Sequence, residues 1–179
     1  MDIRSIILGF LNFRDMSGYD IKQFFSNNVG LIYDASYGAI YPTLRKLEQE
    51  ELVTKNEIVQ VGKPNKILYS ITQKGKDEFY KQMLTPIEPP VFRSDSLVRL
   101  FFAGQLPAKN RQELLEKSIQ FQKQLYKHLQ KTYENLNDLD PYQQTCWEYS
   151  LMQLENTIRF FEQKKAQLSE LDHTLQTYQ

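Results

Sequence analysis

A proline-rich segment at residues 85–90 (Thr-Pro-Ile-Glu-Pro-Pro) divides this chain of 179 residues into two parts. Its prolines remove backbone donors, so the segment cannot continue a regular helix. The part before it mixes helical and strand periodicity, whereas the part after it shows helical periodicity only. We therefore predict an α+β domain over residues 1–84, a linker over residues 85–95 and a helical domain over residues 96–179, in a fold that is mostly α with a small β-hairpin.

Composition restricts the class of protein. Lys and Arg number 22 and Asp and Glu number 22, so the net charge is zero and a uniformly basic surface is excluded. A local basic stripe is still sufficient for binding nucleic acid. The single cysteine, Cys146, excludes an internal disulfide and fits a reducing cytoplasm. The N-terminal apolar run is short and interrupted by charges, which is unlike a signal peptide or a membrane span.

The first two helices are predicted from apolar spacing and from a cap. Apolar residues at helical spacing indicate one helix over residues 3–13, and residues 16–18 interrupt it. Ser17 is a suitable N-cap for a second helix, and Asp20 three residues later completes a capping-box pattern. The pattern of the second helix continues as far as residues 26–28.

The third helix is predicted from Ser36 to Leu52. Its apolar face consists of Ile40, Leu44 and Leu47. The opposite face carries small residues first and basic ones later, namely Gly38, Ala39, Pro42, Arg45, Lys46 and Gln49. Small residues let a helix backbone approach another molecule closely, and Arg, Gln and Lys suit base edges and phosphates. The pattern predicts a helix that lies in a DNA groove, in which Pro42 requires either a late helix start or a local bend.

A β-hairpin and a fourth helix are predicted next. Residues 57–61 and 66–71 are rich in β-forming side chains and flank a Gly-Lys-Pro-Asn turn. Thr72 then caps a helix that extends to about Leu84. Three helices followed by a hairpin is the order of a winged helix-turn-helix. Lys63 and Lys66 at the hairpin tip suit phosphate contacts, although such a turn by itself is also consistent with a solvated loop.

The C-terminal part is predicted to contain a short helix after residue 96 and two long ones, over residues 107–136 and from Asp140 to about Leu175. The last helix carries a seven-residue apolar repeat. Its members include Trp147, Leu151, Leu154, Ile158, Phe161 and Leu168. Two interpretations are open, which are packing on the preceding helix of the same chain and a homodimer interface. We expect the dimer, because a helical hairpin alone buries little surface.

Four segments of the N-terminal part resemble the PadR family of transcriptional regulators. They are Gly-Tyr-Asp-Ile at 18–21, Tyr-Gly-Ala-Ile-Tyr-Pro-Thr-Leu-Arg-Lys-Leu-Glu at 37–48, Gly-Lys-Pro-Asn-Lys at 62–66 and Tyr-Ser-Ile-Thr-Gln-Lys-Gly at 69–75. The resemblance covers residues 3–84. The remainder is similar in layout to the branch with the larger C-terminal helical domain. One departure is Glu51, where the family usually has a glycine that ends the recognition helix.

This resemblance implies a homodimeric repressor that binds a palindromic operator on double-stranded DNA, with a recognition helix in the major groove and wings at the flanks. We expect no cofactor. The residues that it places at the DNA are Ser36, Tyr37, Ala39, Tyr41, Pro42, Thr43, Arg45, Lys46, Lys63, Lys66, Tyr19 and Lys22. For Tyr41, packing in the core is equally compatible with the pattern.

The resemblance also implies a small aromatic, phenolic-type effector in some members. Aromatic residues gather near the linker and in the C-terminal helices, where core packing explains most of them. If a ligand binds, we expect Phe92, Arg93, Arg99 and Trp147 to be involved, with an arginine receiving a carboxylate.

Other classes of function have little support in the sequence. His128 and His173 lie in different helices without metal-ligand spacing, and no nucleophile or phosphate-loop motif is present, so we expect no enzyme and no metal site. The alternative to DNA binding is a winged helix that presents the same surface to a protein. The basic residues Arg45, Lys46, Lys63 and Lys66 favour DNA.

Overall fold

The computed structural model describes residues 1–28, 37–58 and 65–177, except for the side chains of residues 27, 28, 37 and 171–177. It divides into two compact units, Met1–Pro90 and Val91–Gln179. The first contains α1 (Ile3–Phe13), α2 (Gly18–Asn28), α3 (Ile40–Gln49), β1 (Val53–Ile58), β2 (Lys66–Ile71) and α4 (Gln73–Met83). The second contains α5 (Asp95–Phe102), α6 (Ala108–Glu134) and α7 (Pro141–Thr177).

The beginning of α2 has the capping box that the sequence predicts. The Asp20 backbone N–H donates to Ser17 Oγ over 3.1 Å, and the Ser17 backbone N–H donates to Asp20 Oδ2 over 3.0 Å. Two N–H groups that the helix cannot satisfy internally are thereby satisfied. The helix begins at Gly18 as a result, and the prediction is confirmed.

The start of α3 settles how Pro42 is accommodated. A 3-10 turn over Tyr37–Ala39 precedes the helix, which begins at Ile40. Pro42 therefore lies in the first turn, where the missing N–H has no intrahelical partner to lose. Of the two alternatives, the late start is the one observed. Ser36, the predicted start, lies outside the described residues.

The end of α3 uses a left-handed residue that is not glycine. The helix ends at Gln49, earlier than the predicted Leu52, and Glu51 has φ 60°. The Leu52 N–H donates to the Leu47 carbonyl over 2.9 Å, and the Glu51 N–H donates to the Glu48 carbonyl over 3.0 Å. These two bonds form a Schellman motif, in which glycine is the usual left-handed residue.

The hairpin begins earlier than predicted. β1 pairs antiparallel with β2, so that Val53 is opposite Ile71 and Ile58 is opposite Lys66. The first strand was predicted at residues 57–61, and its predicted start was wrong, because β1 begins at Val53. Residues 59–61 lie outside the described residues. Every side chain of β1 after Val53 is exposed, so no apolar alternation marks the strand. Pairing with β2 stabilises it instead.

A backbone bridge extends this small sheet. Met16 pairs with Tyr69 of β2, with N–H to carbonyl distances of 3.2 and 2.9 Å in the two directions. The bridge ties the turn between α1 and α2 directly to the hairpin, so the hairpin base is held by backbone hydrogen bonds on both sides.

The first unit has one apolar core. Side chains from α1, α2, α3 and the hairpin contribute to it, and the predicted face of α3 (Ile40, Leu44 and Leu47) is fully buried there. Burial of an amphipathic face is the main source of helix stability in a protein. The opposite face of α3 is therefore the one left for solvent or for a partner.

The second unit is built on a hairpin of long helices. α6 and α7 pack antiparallel, with Trp147 near the start of α7 stacked on Tyr133 near the end of α6 at 5.9 Å between ring centroids. Farther along the hairpin, Lys123 of α6 forms an ion pair with Glu162 of α7 at 2.6 Å. The two predicted long helices are confirmed. No helix in the described part of the chain is long and apolar enough to cross a membrane.

Candidate nucleic-acid interface

The outward face of α3 presents most of the predicted side chains. Tyr41, Pro42, Arg45 and Lys46 are exposed, and Ala39 and Thr43 are half-buried. Ser36 lies outside the described residues, and of Tyr37 only the backbone is described. The face therefore combines small side chains near its start with two cations one to two turns later, as expected for a helix that approaches DNA.

Tyr41 connects α3 to the start of α2. A Cβ placed on Gly18 would lie 2.5 Å from Cε1 of the Tyr41 ring, so the ring rests directly on the glycine backbone. Tyr41 is nevertheless 52% exposed. The ring thus packs on Gly18 and still faces solvent, and its contact with DNA stays a prediction.

A cleft of about 430 Å³ lies where the start of α2, α3 and β2 meet. Its walls include Tyr19, Asp20, Tyr41, Asn65, Lys66 and Tyr69. Three of the predicted DNA contacts, Tyr19, Tyr41 and Lys66, are brought together here. Lys22, one helical turn beyond Tyr19, is exposed on α2 and does not line the cleft.

An ion pair inside this cleft was not anticipated. Lys66 Nζ lies 3.0 Å from Asp20 Oδ2, and the same oxygen accepts hydrogen bonds from the backbone N–H and the hydroxyl of Ser17. Partial burial opposes ionisation of Asp20, but the bonds from Ser17 and Lys66 outweigh it, and its pKa lies below the ordinary value. Local sequence reasoning gave Asp20 a capping role only, because no local pattern reveals a partner in β2.

Tyr69 belongs to the core of the first unit. Its side chain is buried, and this burial, with a smaller contribution from Glu48, raises the pKa of its hydroxyl. Ile71 is half-buried and packs against the same core. Neither residue is available as a primary DNA contact.

One side-chain hydrogen bond lies beside the turn of the hairpin. Asn65 Nδ2, just before β2, donates to Glu57 Oε1 of β1 over 2.8 Å. Lys63, the other predicted wing cation, lies outside the described residues. Its phosphate contact stays a prediction.

Two family models match this chain. The model of the transcriptional regulator PadR-like family matches residues 7–81. The model of the virulence activator alpha C-terminal region matches residues 92–169. The chain belongs to the PadR-like family of transcriptional regulators. Its second matched region corresponds to the larger C-terminal helical domain of the predicted branch.

Similar proteins span nearly the whole chain. The structure of smu.1604c from Streptococcus mutans has a TM-score of 0.84 at 36% identity and covers 93% of this chain and 99% of that one. The negative transcriptional regulator PadR of Bacillus subtilis is 29% identical over 75% of this chain and 74% of its own length. The B. subtilis relative is a regulator of transcription.

Two solved forms of the B. subtilis PadR are also similar. Its complex with operator DNA gives a TM-score of 0.81 at 25% identity, covering 92% of this chain and 98% of that one. Its complex with p-coumaric acid gives a TM-score of 0.73 at 22% identity and covers 93% of this chain and 98% of that one. The second likeness shows the fold alone. Both likenesses show that the chain has the fold of this PadR.

The predicted effector residues of this PadR-family chain are only partly brought together. Phe92 and Arg93 line an open cavity of about 610 Å³ on α5, together with Phe101 and Phe102. Arg99 donates from Nε to Asp95 Oδ2 over 2.6 Å. Trp147 does not line this cavity.

The seven-residue repeat of α7 packs inside the chain over part of its length. Trp147 and Phe161 are buried, while Leu151, Leu154 and Ile158 are half-buried and Leu168 is exposed. Packing on α6 therefore accounts for two of the six predicted interface residues. The partial exposure of the others leaves the dimer interpretation open.

Proposed function

We propose that this PadR-family protein is a homodimeric repressor that binds a palindromic operator with the outward face of α3 and with its wing. The observation that carries the proposal is the exposed face of α3, which has small residues near its start and basic residues later. This face lies beside the cleft that contains Lys66. The proposed contacts are Ser36, Tyr37, Ala39, Tyr41, Pro42, Thr43, Arg45, Lys46, Lys63, Lys66, Tyr19 and Lys22.

The roles on α3 follow from side-chain chemistry. The methyl groups of Ala39 and Thr43 suit thymine methyls in the major groove, and the exposed guanidinium of Arg45 suits a guanine edge or a phosphate. Lys46 suits a phosphate. A B. subtilis relative of the same family has been solved with operator DNA, which supports this assignment.

The second unit supports the dimer. Several large side chains of α5 and α7 remain exposed in the single chain, including Phe101, Tyr142, Tyr149 and Phe160. An exposed apolar patch that is larger than those of ordinary monomeric proteins marks an interaction site. A two-fold dimer would place two copies of α3 against half-sites about one helical turn, or a multiple of it, apart.

In vitro selection from a random duplex library tests sequence-specific binding. We expect the wild type to enrich a two-fold symmetric site, because two recognition helices then read the same bases. Arg45→Ala should lose preference at one base position in each half-site and bind about tenfold more weakly. Lys81→Ala, which removes a cation from the far helix α4, is the matched control and should enrich the wild-type site.

The selection also has a clear negative result. If folded wild-type protein enriches no sequence, the proposal is wrong and the alternative, a winged-helix protein-interaction module, takes its place. If Arg45→Ala enriches the wild-type site unchanged, Arg45 does not read a base, and only its phosphate role remains.

Sedimentation velocity at micromolar concentration tests the dimer separately. We expect twice the mass of the single chain, 21.2 kDa. A monomeric mass at that concentration would exclude the proposed homodimer.

We also propose a small aromatic acid as the effector that releases DNA, held by Phe92 and Arg93 at the α5 cavity. An aromatic wall beside a cation suits a phenolic acid, and p-coumaric acid is bound by a relative in its solved structure. Titration calorimetry with p-coumaric acid should show binding that Arg93→Ala weakens and that Arg159→Ala, on the exposed surface of α7, does not. No heat of binding, or equal binding by both variants, would contradict this assignment.

A further inference from the structure

The ion pair between Asp20 and Lys66 lies within the proposed DNA-binding surface. Lys66 Nζ is 3.0 Å from Asp20 Oδ2, and the two side chains are 41% and 35% exposed. Both therefore remain within reach of a ligand that enters the cleft. A DNA phosphate would compete with the Asp20 carboxylate for the same ammonium group.

This pair is not needed to position the strand. The Met16–Tyr69 bridge and the β1–β2 ladder already hold β2 by backbone hydrogen bonds. A partly exposed ion pair adds little to stability by comparison. Its main effect therefore falls on the ammonium group itself, whose direction and effective charge it sets.

The Asp20 carboxylate is itself held in place. Its Oδ2 atom accepts from the Ser17 backbone N–H at 3.0 Å and from the Ser17 hydroxyl at 2.8 Å. The capping box thus presents a fixed anion to Lys66. The net charge of the pair is zero, so the pair releases no counterion when DNA approaches.

We propose that Asp20 limits the sequence-independent affinity of this protein for DNA by holding Lys66 away from the phosphates. The inference rests on the proposed DNA binding and goes beyond it, since it assigns to an acidic residue the control of a phosphate contact. Loss of the carboxylate frees the Lys66 ammonium for the backbone of any duplex.

The test uses the full-length protein and a fluorescent duplex of arbitrary sequence, about 30 base pairs long, titrated by anisotropy between about 50 and 200 mM salt. The variants are Asp20→Asn, Lys66→Met and the double variant. Asp77→Asn is the matched control, since it makes the same change on exposed α4, where Asp77 bonds Gln73 outside the cleft. Arbitrary DNA suffices, because the effect concerns phosphates and not bases.

We expect Asp20→Asn to bind about three- to tenfold more tightly than the wild type at about 0.1 M salt, with a log–log salt slope steeper by about 0.9, the value of one phosphate contact. Asp77→Asn should change affinity less than about twofold, because screening weakens charges beyond about 10 Å. In the Lys66→Met background, Asp20→Asn should gain at most about twofold, since no ammonium is left to release.

An equal gain in both backgrounds would show that Asp20 simply repels DNA, and would overturn the inference. Unchanged or weaker binding by Asp20→Asn would overturn it as well. If Asp20→Asn lowers the thermal midpoint strongly, Asp20→Gln replaces it, because Gln is a normal capping-box residue at this position. A wild type that binds no duplex removes the proposed function and this inference together, whereas a wild type that binds without the Asp20 effect removes this inference alone.

Discussion

The two units differ in how completely each buries its apolar side chains. In Met1–Pro90 the core side chains Ile7, Leu8, Leu44 and Leu47 are 0% exposed. In Val91–Gln179 no described side chain is less than 3% exposed, and Phe101, in α5, remains 82% exposed. The first unit therefore carries a complete core within one chain. The second is a pair of long helices whose apolar surface a single chain covers only in part, which supports the proposed dimer.

Truncation in the complete core should give the largest effect. Leu44→Ala should lower the free energy of unfolding by about 3 kcal/mol, because a fully buried side chain leaves a cavity. Urea denaturation at several protein concentrations checks this. If the first unit is self-contained, the loss of unfolding free energy should be the same at each protein concentration. A loss that varies with concentration would show that this core is not complete within one chain.

Gly75 in the first unit and Gly104 in the second differ in how closely other atoms approach them. A Cβ at Gly75 would lie 2.2 Å from the Leu52 carbonyl oxygen, whereas a Cβ at Gly104 meets nothing within 4 Å. Gly75→Ala should therefore cost about 2 kcal/mol through a backbone shift. Gly104→Ala should change stability by less than about 0.5 kcal/mol. Equal effects in thermal or urea unfolding would contradict this difference.

Exposed aromatics on α7 test whether the second unit needs a partner. Tyr149→Ala combined with Phe160→Ala should weaken self-association by about tenfold, about 1.4 kcal/mol, through loss of buried apolar area between copies. Sedimentation equilibrium measures this. Tyr80→Ala, on exposed α4 of the first unit, is the control and should leave the association constant unchanged.

The smallest effect is expected at the end of α3. Glu51 has φ 60°, which favours glycine, so Glu51→Gly should raise the free energy of unfolding by about 0.5–1 kcal/mol. Glu51→Ala retains a Cβ and should bring no such gain. A Glu51→Gly variant that is less stable than the wild type would show that the lost ion pair with Lys74, at 3.7 Å, matters more than the backbone.

Features with local signals could be predicted from the sequence. The bounds of α1 and the capping box of Ser17 and Asp20 were predicted correctly, because side-chain periodicity and caps act within a few residues. The buried face of α3 was predicted for the same reason.

Features that depend on distant partners could not be predicted. β1 was placed too late, because its polar residues become a strand only by pairing with β2. The contact in which Glu50 accepts a hydrogen bond from Arg4 Nη1 over 2.8 Å has no local signal in the sequence either. In the candidate site, the sequence predicted the outward face of α3 but not the ion pair between Asp20 and Lys66. These partners lie far apart in sequence and meet only in the folded unit.

Amide hydrogen exchange of the full-length protein tests the central claim most directly, with and without a duplex obtained by selection. The account predicts that DNA slows exchange in residues 37–50 and 65–71 of the first unit, because α3 and the wing base then face DNA. Exchange in residues 141–170 of α7 should stay unchanged. Protection confined to residues 141–170, with no change in residues 37–50, would contradict the account.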